Sequence, residues 1–269
     1  MGYFIGGAVL IVLGIVFWIL RGKKAGKLNV LEINETSKAN EIIENYKGMV
    51  ESHGPGAFSI YAELKGKAVA DTPEISEFAK KECVYYRSVV TREYEELVTK
   101  TDSNGHTQKK WVRKTESVSS HSNTSPDFAV EDGTGKIFVD PTGAELYTVK
   151  TFSKFEQGSD PKGGGLNISI GGFNISSGPS IRTIGFKYEE FSIPLNTDLY
   201  VIGDVNDRSG KLTVSKPKDK KSPFIVSTKS EDELTDKLGS SVKGMKIAAY
   251  ACFGIGAALL IYGIISKFI

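Results

Sequence analysis

The sequence predicts a membrane-anchored α+β protein, in which a mainly antiparallel β soluble domain is flanked by two transmembrane helices. Two stretches of the 269-residue chain, residues 3–20 and 247–265, contain no charged residue. At a rise of about 1.5 Å per residue, each would span roughly 28 Å as a helix, which is close to the hydrocarbon thickness of a bilayer. The region between them is polar and shows the period of β-strands, so it is predicted to form the soluble domain.

The balance of charge excludes two classes of protein. Lys and Arg number 34 against 32 Asp and Glu, which is a formal net charge of +2. A nucleic-acid-binding protein usually has a clear basic excess, and a disordered acidic tail protein has a clear acidic excess. We therefore expect a folded domain and no nucleic-acid partner.

The first apolar segment, residues 3–20, is predicted to be a retained anchor. A cleaved signal peptide has basic residues before its apolar stretch and a small-residue cleavage site after it, and this segment has neither. The bases stand on its domain side instead, at Arg21, Lys23, Lys24 and Lys27. They favour a cytoplasmic domain by the positive-inside rule and are candidate contacts for lipid headgroups.

Residues 21–57 are predicted to form a basic juxtamembrane segment followed by a helix. Apolar residues recur at helical spacing from about Lys38, and Thr36 or Ser37 is the predicted N-cap. The helix should end at the breaker His53-Gly54-Pro55-Gly56.

Residues 58–238 are predicted to form the mainly β domain. Alternation with period two predicts strands at residues 58–69, 84–98, 108–118, 127–130, 136–139, 185–191, 198–205, 211–214 and 224–227. Turns are predicted at Asn104-Gly105 and at residues 132–135, 140–143 and 208–210. Ser230 is the predicted N-cap of a short helix that leads to the second apolar segment.

Residues 163–178 are rich in glycine, and we predict that they form a hairpin. A two-residue turn at residues 171–172 would place Ile170 opposite Phe173 and Ile168 opposite Ile175. The candidate partner or membrane face of this hairpin consists of Leu166, Ile168, Ile170, Phe173 and Ile175. If this face packs on the domain, replacing Phe173 and Ile175 by Ser would unfold the protein. If it is offered to a partner or to the bilayer surface, only an interaction would be lost.

The second apolar segment, residues 247–265, is also preceded by bases. Lys243 and Lys246 are further candidate headgroup contacts. Both apolar segments carry small residues four positions apart, a spacing that lets helix backbones approach closely. The candidate packing positions are Gly2, Gly6, Cys252, Gly254, Gly256 and Ala258. They would support a homo-oligomer through the membrane helices, or they reflect only how common small residues are in membrane spans.

No constellation of residues predicts a catalytic, metal or cofactor site. The two cysteines are Cys83, expected on a strand, and Cys252, in an apolar segment, so no disulfide framework is expected. The histidines lack the spacing of metal ligands. Glu131-Asp132 and Glu189-Glu190 are neighbours on strands and point to opposite faces, so we interpret them as solvated charges. The protein is therefore expected not to be an enzyme.

Several motifs, by their order and spacing, resemble one known family. They are Lys67-Ala68-Val69-Ala70, Cys83-Val84-Tyr85-Tyr86-Arg87, Tyr94-Glu95-Glu96, residues 128–132 with Val139-Asp140-Pro141, Tyr188-Glu189-Glu190 and residues 199–204. This set resembles the GIDE-type domain, also called the beside-a-membrane (BAM) domain, of membrane-bound E3 ubiquitin ligases. The resemblance extends from about residue 64 to the C-terminus and includes the layout with two spans.

The resemblance implies a β domain held beside a membrane. Ligases of the family carry a zinc-binding RING after the second span, and two cysteines cannot bind two zinc ions. We therefore expect a RING-less, prokaryotic member that does not transfer ubiquitin. The family's domain faces away from the cytosol, whereas the basic flanks here favour the cytoplasmic side of the cell membrane.

Three functions are compatible with the sequence. The leading hypothesis is a non-catalytic binding or scaffold module, with membrane lipids and a protein or peptide as its partners. The second is a substrate-recognition or regulatory subunit of a separately encoded E3-ligase-like or protease complex. The third is an unrecognised enzyme, whose activity a single polar substitution would abolish.

Overall fold

The computed structural model describes residues 2–101, 106–158, 167–170, 173–176 and 180–268. The helices in these ranges are α1 (Gly2–Ile33), α2 (Ala39–His53) and α3 (Glu231–Phe268). The strands are β1 (Ser59–Val69), β2 (Glu74–Ile75), β3 (Glu82–Thr101), β4 (Thr107–Thr124), β5 (Ala129–Glu131), β6 (Lys136–Val139), β7 (Glu145–Tyr147), β8 (Val149–Gln157), β9 (Asn167–Ile170), β10 (Phe173–Ser176), β11 (Ile181–Pro194), β12 (Asp198–Asn206), β13 (Thr213–Ser215) and β14 (Ile225–Ser227). The predicted fold class is confirmed, since two long apolar helices flank a mostly antiparallel β domain.

Both terminal helices extend far beyond their apolar segments. Helix α1 continues through the basic residues to Ile33, and α3 joins the predicted short helix and the second apolar segment in one element. Residues 21–33 and 231–246 contain no proline and several good helix formers, so nothing in them interrupts a helix. Each of the two helices is long and apolar enough to cross a membrane.

Helices α1 and α3 pack side by side and antiparallel. The rings of Tyr3 and Tyr262 lie 5.1 Å apart between centroids, and those of Trp18 and Tyr250 lie 5.9 Å apart. Residues early in α1 therefore meet residues late in α3.

Glycines allow the two helix backbones to approach. A Cβ atom at Gly7 would lie 2.9 Å from the carbonyl oxygen of Gly256, and one at Gly14 would collide with the ring of Phe253. Gly7 and Gly14 were not among the predicted packing positions. Of those six positions, Gly6 and Gly256 lie against the other helix. Cys252 is half-buried. The other three positions are exposed, namely Gly2, Gly254 and Ala258. Association between copies through the exposed ones stays a prediction.

Five strands close into a small barrel. β1 pairs with β12 over residues 59–67 and then with β5, and the pairs β5–β6, β6–β13 and β13–β12 complete the ring. Closure requires a close backbone approach at Gly66, where a Cβ atom would collide with the carbonyl group of Glu131. Apolar side chains such as Leu64, Phe128 and Ile137 form the core. From β12 the sheet continues to β14 and β7.

The second sheet is built on the long strands β3 and β11. β3 pairs with β2 and β4 on one side and with β11 on the other, and β11 also pairs with β8. Residues 71–80 cover part of one face, where the ring of Phe78 lies 5.7 Å from those of Phe152 and Tyr188. Because β11 pairs with β3 only as far as Glu96, the β3–β4 hairpin extends beyond the rest of the sheet.

The predicted strands are present, and three of them, β3, β4 and β11, extend beyond their predicted ends by more than one residue. The sequence did not predict β2, β7 or β8. In β8 the apolar residues Val149, Phe152 and Phe155 recur at every third position and so lack the alternation of a strand, and the pairing with β11 has a register shift between Lys150 and Phe152. The turn predicted at Asn104-Gly105 lies outside the described residues.

Strands β9 and β10 confirm the predicted register of the glycine-rich hairpin. Ile170 pairs with Phe173 and Ile168 with Ile175, and the two strands form a sheet of their own. Leu166 and the turn at residues 171–172 lie outside the described residues, so the role of the apolar face stays a prediction.

The start of α2 differs from the prediction. The residue at the N-cap is Lys38, which makes no side-chain capping bond. The amide of Ala39 instead donates to Asp132 Oδ2 at 2.8 Å, and the amide of Asn40 donates to Thr134 Oγ1 at 3.2 Å. The turn after β5 thus caps α2 from a distant part of the chain.

Candidate functional site

One buried apolar cluster fastens the barrel to both terminal helices. Leu31 of α1 and Leu234 of α3 are almost fully buried against Tyr200, Ile202 and Ile225 of the barrel sheet. Leu28 and Leu238, one helical turn from the two leucines, extend the same faces. The barrel is therefore held by the parts of α1 and α3 that continue directly from the apolar segments.

The distance between the apolar segment and the barrel follows from helix geometry. Leu31 is eleven residues beyond Leu20, the last residue of the first apolar segment. At 1.5 Å per residue this places the base of the barrel about 16 Å past the end of that segment. The headgroup layer on each side of a bilayer is roughly 5 to 8 Å thick, so the stalk is longer than this layer.

The predicted headgroup contacts have different surroundings. Lys27 forms an ion pair with Glu145, and Lys24 Nζ donates to Ser241 Oγ at 2.7 Å. These two lysines therefore already have partners in β7 and α3. The guanidinium of Arg21 lies 5.0 Å from the centre of the Trp18 ring. The remaining candidates, Lys23, Lys243 and Lys246, are exposed.

A fully buried carboxylate, Glu63 of β1, lies beside the apolar cluster. It accepts hydrogen bonds from Tyr200 Oη at 2.8 Å and from Thr36 Oγ1 at 2.7 Å, and Lys65 Nζ lies 3.2 Å from its Oε1 atom. Its carbonyl group also accepts the amide of Ser37. A charge removed from water needs such partners, and here two of them, Thr36 and Ser37, belong to the linker between α1 and α2. Glu63 therefore fixes that linker to the barrel.

The phenol groups around Glu63 respond to its charge. Burial, followed by the hydrogen bond to Glu63, raises the pKa of Tyr200 far above its usual range. Burial and then the charge of Glu63 do the same to the pKa of Tyr61, whose hydroxyl donates to the carbonyl group of Pro223 at 2.7 Å. Both phenols are thus held as neutral hydrogen-bond donors. The sequence did not reveal Glu63, because a single acidic residue in a strand usually faces solvent.

An open groove of about 970 Å³ lies next to this network, between the barrel and the N-terminus of α3. Its walls come from four parts of the chain, namely residues 65–69 of β1, residues 131–133, residues 196–200, and residues 228–233 at the start of α3. Tyr200 and Lys65 belong to both the groove and the Glu63 network, so a molecule in the groove would lie directly beside the junction with the helices.

The groove is negatively charged. Its acidic residues are Glu131, Asp132, Asp198, Glu231, Asp232 and Glu233, and its basic residues are Lys65, Lys67 and Lys229. Lys65 pairs with Glu231 at 2.6 Å, Lys67 with Asp198 at 2.7 Å and Lys229 with Glu233 at 3.5 Å. Since these pairs use all three lysines, three carboxylates remain in excess. The groove is therefore suited to a cationic ligand.

Asp132 connects the groove to α2. Burial opposes its ionisation, but the hydrogen bonds from the backbone of Ala39, Thr134 and Gly135 outweigh this and lower its pKa. Its charge is thereby used in capping α2 and in shaping the turn after β5.

The interpretation of Glu189-Glu190 as solvated charges is wrong for one of the two residues. Glu190 is fully buried and accepts bonds from the amide of Phe78 at 2.6 Å and from Thr151 Oγ1 at 3.1 Å. Glu189, on the opposite face, forms ion pairs with lysines at the surface. The alternation of faces was predicted, but the loop that covers one face was not.

The two cysteines do not meet. Cys83 is buried on β3, where burial and then the charges of Glu190 and Glu74 raise its pKa to about 11, and Cys252 lies within α3. Within the described ranges, no group of three or more His, Cys, Asp or Glu side chains is arranged to hold a metal ion.

One family of proteins matches this chain. The family model GIDE, described as E3 Ubiquitin ligase, matches residues 95–261, which is more than half of the chain. The match begins in β3, passes through the second sheet and the later strands of the barrel, and ends in α3. No curated protein and no solved structure matches the chain.

Proposed function

Since this chain belongs to the GIDE family, we propose that it is a two-pass membrane protein whose β domain is a non-catalytic binding or scaffold module beside the membrane. The observation that carries the proposal is the buried junction around Leu31 and Leu234. Two helices that are apolar enough to cross a membrane continue without a break into the cluster that holds the barrel. A domain fastened in this way stays close to the bilayer surface.

The groove beside α3 is the proposed binding site for the partner. Its excess of carboxylates attracts positive charge and would steer a cationic segment towards it. We propose that the partner is a protein or peptide that presents Lys or Arg side chains in an extended segment. Such a segment would pair with the carboxylates that no lysine of the groove uses, such as Glu131.

We propose that the groove binds its partner and does not catalyse a reaction. Four of the groove's six carboxylates are engaged in ion pairs or in capping bonds, and neither cysteine lines the groove. The membrane would be contacted by Lys23, Lys243 and Lys246, which are exposed near the ends of the apolar segments.

Binding of a cationic peptide to the full chain in detergent micelles tests the proposed binding site. The probe is a labelled decapeptide rich in Lys and Arg, and its affinity is measured by fluorescence anisotropy. Glu131→Lys reverses an exposed charge of the groove and should weaken binding roughly fivefold. Asp219→Lys makes the same change of net charge at an exposed turn that does not line the groove, and it should leave binding unchanged. An equal loss of affinity in both variants would show that the peptide is attracted by net charge alone and would contradict binding in the groove.

The second candidate function is a substrate-recognition or regulatory subunit of a separately encoded E3-ligase-like or protease complex. It is favoured by the family description, which names a ligase. It requires that an enzyme co-purify with the full chain from membranes and that Glu131→Lys release this enzyme. A scaffold that has no enzyme partner would retain its binding partner without any associated ligase or protease activity.

A further inference from the structure

Strand β8 forms one edge of the second sheet. It pairs with β11 on one side, and among the described residues no strand pairs with its other side. An open edge is a template for another strand, and natural proteins usually protect it with charges or bulges. The side chains of β8 therefore decide which strand is accepted there.

The second half of β8 is complementary to itself. In an antiparallel pairing centred on Phe155, Lys154 stands opposite Glu156 of a second copy, and Glu156 stands opposite Lys154 of that copy. Opposite charges directly across an antiparallel pair are favourable, whereas like charges are not. Phe155 meets its own counterpart, as a two-fold symmetric contact requires.

These side chains are available for the contact. Lys154 and Glu156 are 59% and 49% exposed, and at present they pair with each other along the strand at 2.7 Å. Phe155 lies across Gly185, yet it remains 47% exposed. In the dimer, each copy would give up its own Lys154–Glu156 ion pair, and two such pairs would form between the copies instead. The exposed rings of Phe155 would be covered.

The other edge of the sheet, β4, offers no comparable set. Arg113 forms an ion pair with Glu93 of β3, and Lys114 forms one with Glu96. Glu116 is bound by Arg92 at 2.9 Å. Because these charges already have partners on β3, they are less free to pair with a further strand than those of β8.

We propose that two copies of this chain associate edge to edge through β8, in an antiparallel pairing centred on Phe155 that joins their second sheets into one. The paired segment is short, covering residues 153–157 of each copy. Anchoring of both copies in one bilayer raises their effective concentration, as linkage does in other bivalent systems. The contact goes beyond the proposed partner binding and does not involve the groove.

Disulfide cross-linking of the full chain in membranes tests the pairing and its register. In a Cys83→Ser, Cys252→Ser background, Phe155→Cys places two thiols on the symmetry axis, with Cα atoms about 4.5 to 5.5 Å apart, which a disulfide can span. Mild oxidation should therefore give a covalent dimer. Ser153→Cys is the matched control, because residue 153 faces Gln157 of the second copy and lies roughly 14 Å from its own counterpart. An equal dimer yield from Ser153→Cys, or none from Phe155→Cys, would overturn the proposal.

Charge reversal tests the same contact without removing Phe155. Lys154→Glu alone and Glu156→Lys alone each place like charges opposite each other and should lower the dimer fraction in detergent roughly fivefold. The double variant Lys154→Glu, Glu156→Lys restores opposite charges and should restore the dimer. If the double variant is as monomeric as the single ones, or if all variants stay dimeric, the pairing through β8 is wrong. Binding of the cationic peptide should be the same in all of these variants, so failure of this contact is distinguishable from failure of the groove.

Discussion

Glu63 and Glu190 are fully buried, and each binds donors that lie far from it in the chain. Glu63 accepts from Thr36, in the linker after α1, and Glu190 accepts from the amides of residues 78 and 79, in the loop over the second sheet. Each carboxylate thus fixes a segment that has no helix or strand of its own. Since a buried charge is costly without its partners, these two residues should be among the least replaceable in the domain.

Replacement of Glu63 by Ala should lower the free energy of unfolding by about 3 kcal/mol. The hydroxyl groups of Tyr200 and Thr36 would lose their acceptor inside the fold, and the linker would keep only its backbone bond to β1. Chemical unfolding of the full chain in detergent micelles measures the change. Glu131→Ala removes an exposed carboxylate and should stay within about 0.5 kcal/mol of the parent. Similar changes in the two variants would contradict the structural role of Glu63.

Cys83 should make stability depend on pH in the alkaline range. Its pKa is about 11 in the folded protein, against about 8.5 for a free thiol. Because the folded pKa is the higher one, the unfolded chain loses its proton first, so stability is lost as pH rises from about 8.5 towards 11. The free energy of unfolding should therefore fall more steeply in the parent than in Cys83→Ala over this range.

The comparison between these two proteins isolates the thiol. The cavity left in Cys83→Ala does not depend on pH, and other titrating groups contribute equally to both curves. Parallel curves between pH 8.5 and 11 would show that Cys83 does not titrate differently in the folded and unfolded states.

At the scale of elements, α1 and α3 each combine an apolar segment with a section that docks on the barrel. The docking section buries Leu31 and Leu234, whereas Ile33, two residues beyond Leu31, is 69% exposed. The helix therefore turns one narrow face to the barrel, and that face should account for most of the attachment.

Shortening the docking side chain tests this attachment. Leu31→Ala should lower the free energy of unfolding by about 2 to 4 kcal/mol, because it leaves a cavity between α1 and the barrel sheet. Ile33→Ala, in the same helix, should change it by no more than about 0.5 kcal/mol. Unfolding in detergent micelles compares the two, and equal costs would show that the junction is not a packed interface.

At the scale of the whole molecule, the layout consists of two antiparallel helices, a stalk of about 16 Å, the barrel and the second sheet. Basic residues cluster on the domain side of both apolar segments, at residues 21–27 and at Lys243 and Lys246. These flanks predict a cytoplasmic domain, although the family resemblance implies the opposite side. Orientation is therefore the property of the molecule whose measurement decides where partners are sought.

A reporter cysteine on the domain should be labelled only after cells are opened. We place it at Lys220, an exposed residue of the turn before β14, in the Cys83→Ser, Cys252→Ser background, and use a membrane-impermeant maleimide. Gly2→Cys lies at the opposite end of α1 and should be labelled in intact cells. Labelling of Lys220→Cys in intact cells would give the orientation implied by the family and would direct the search to external partners.

Local patterns in the sequence were sufficient for much of the fold. The two apolar helices follow from runs without charge, and the opposition of Ile170 and Phe173 was predicted from the pair of glycines between them in the sequence. Helix α2 was predicted within a residue of its start. Each of these features depends on residues that are close together in the chain, so that periodicity and turn chemistry encode it directly.

Tertiary structure alone decided the remaining features. Closure of the barrel at Gly66, capping of α2 by Asp132 and burial of Glu63 join parts of the chain that are far apart. The same is true of the groove, whose walls come from four separate segments. No local pattern identifies which residues meet after the chain closes, because burial and charge pairing depend on the packing of elements that are distant in the sequence.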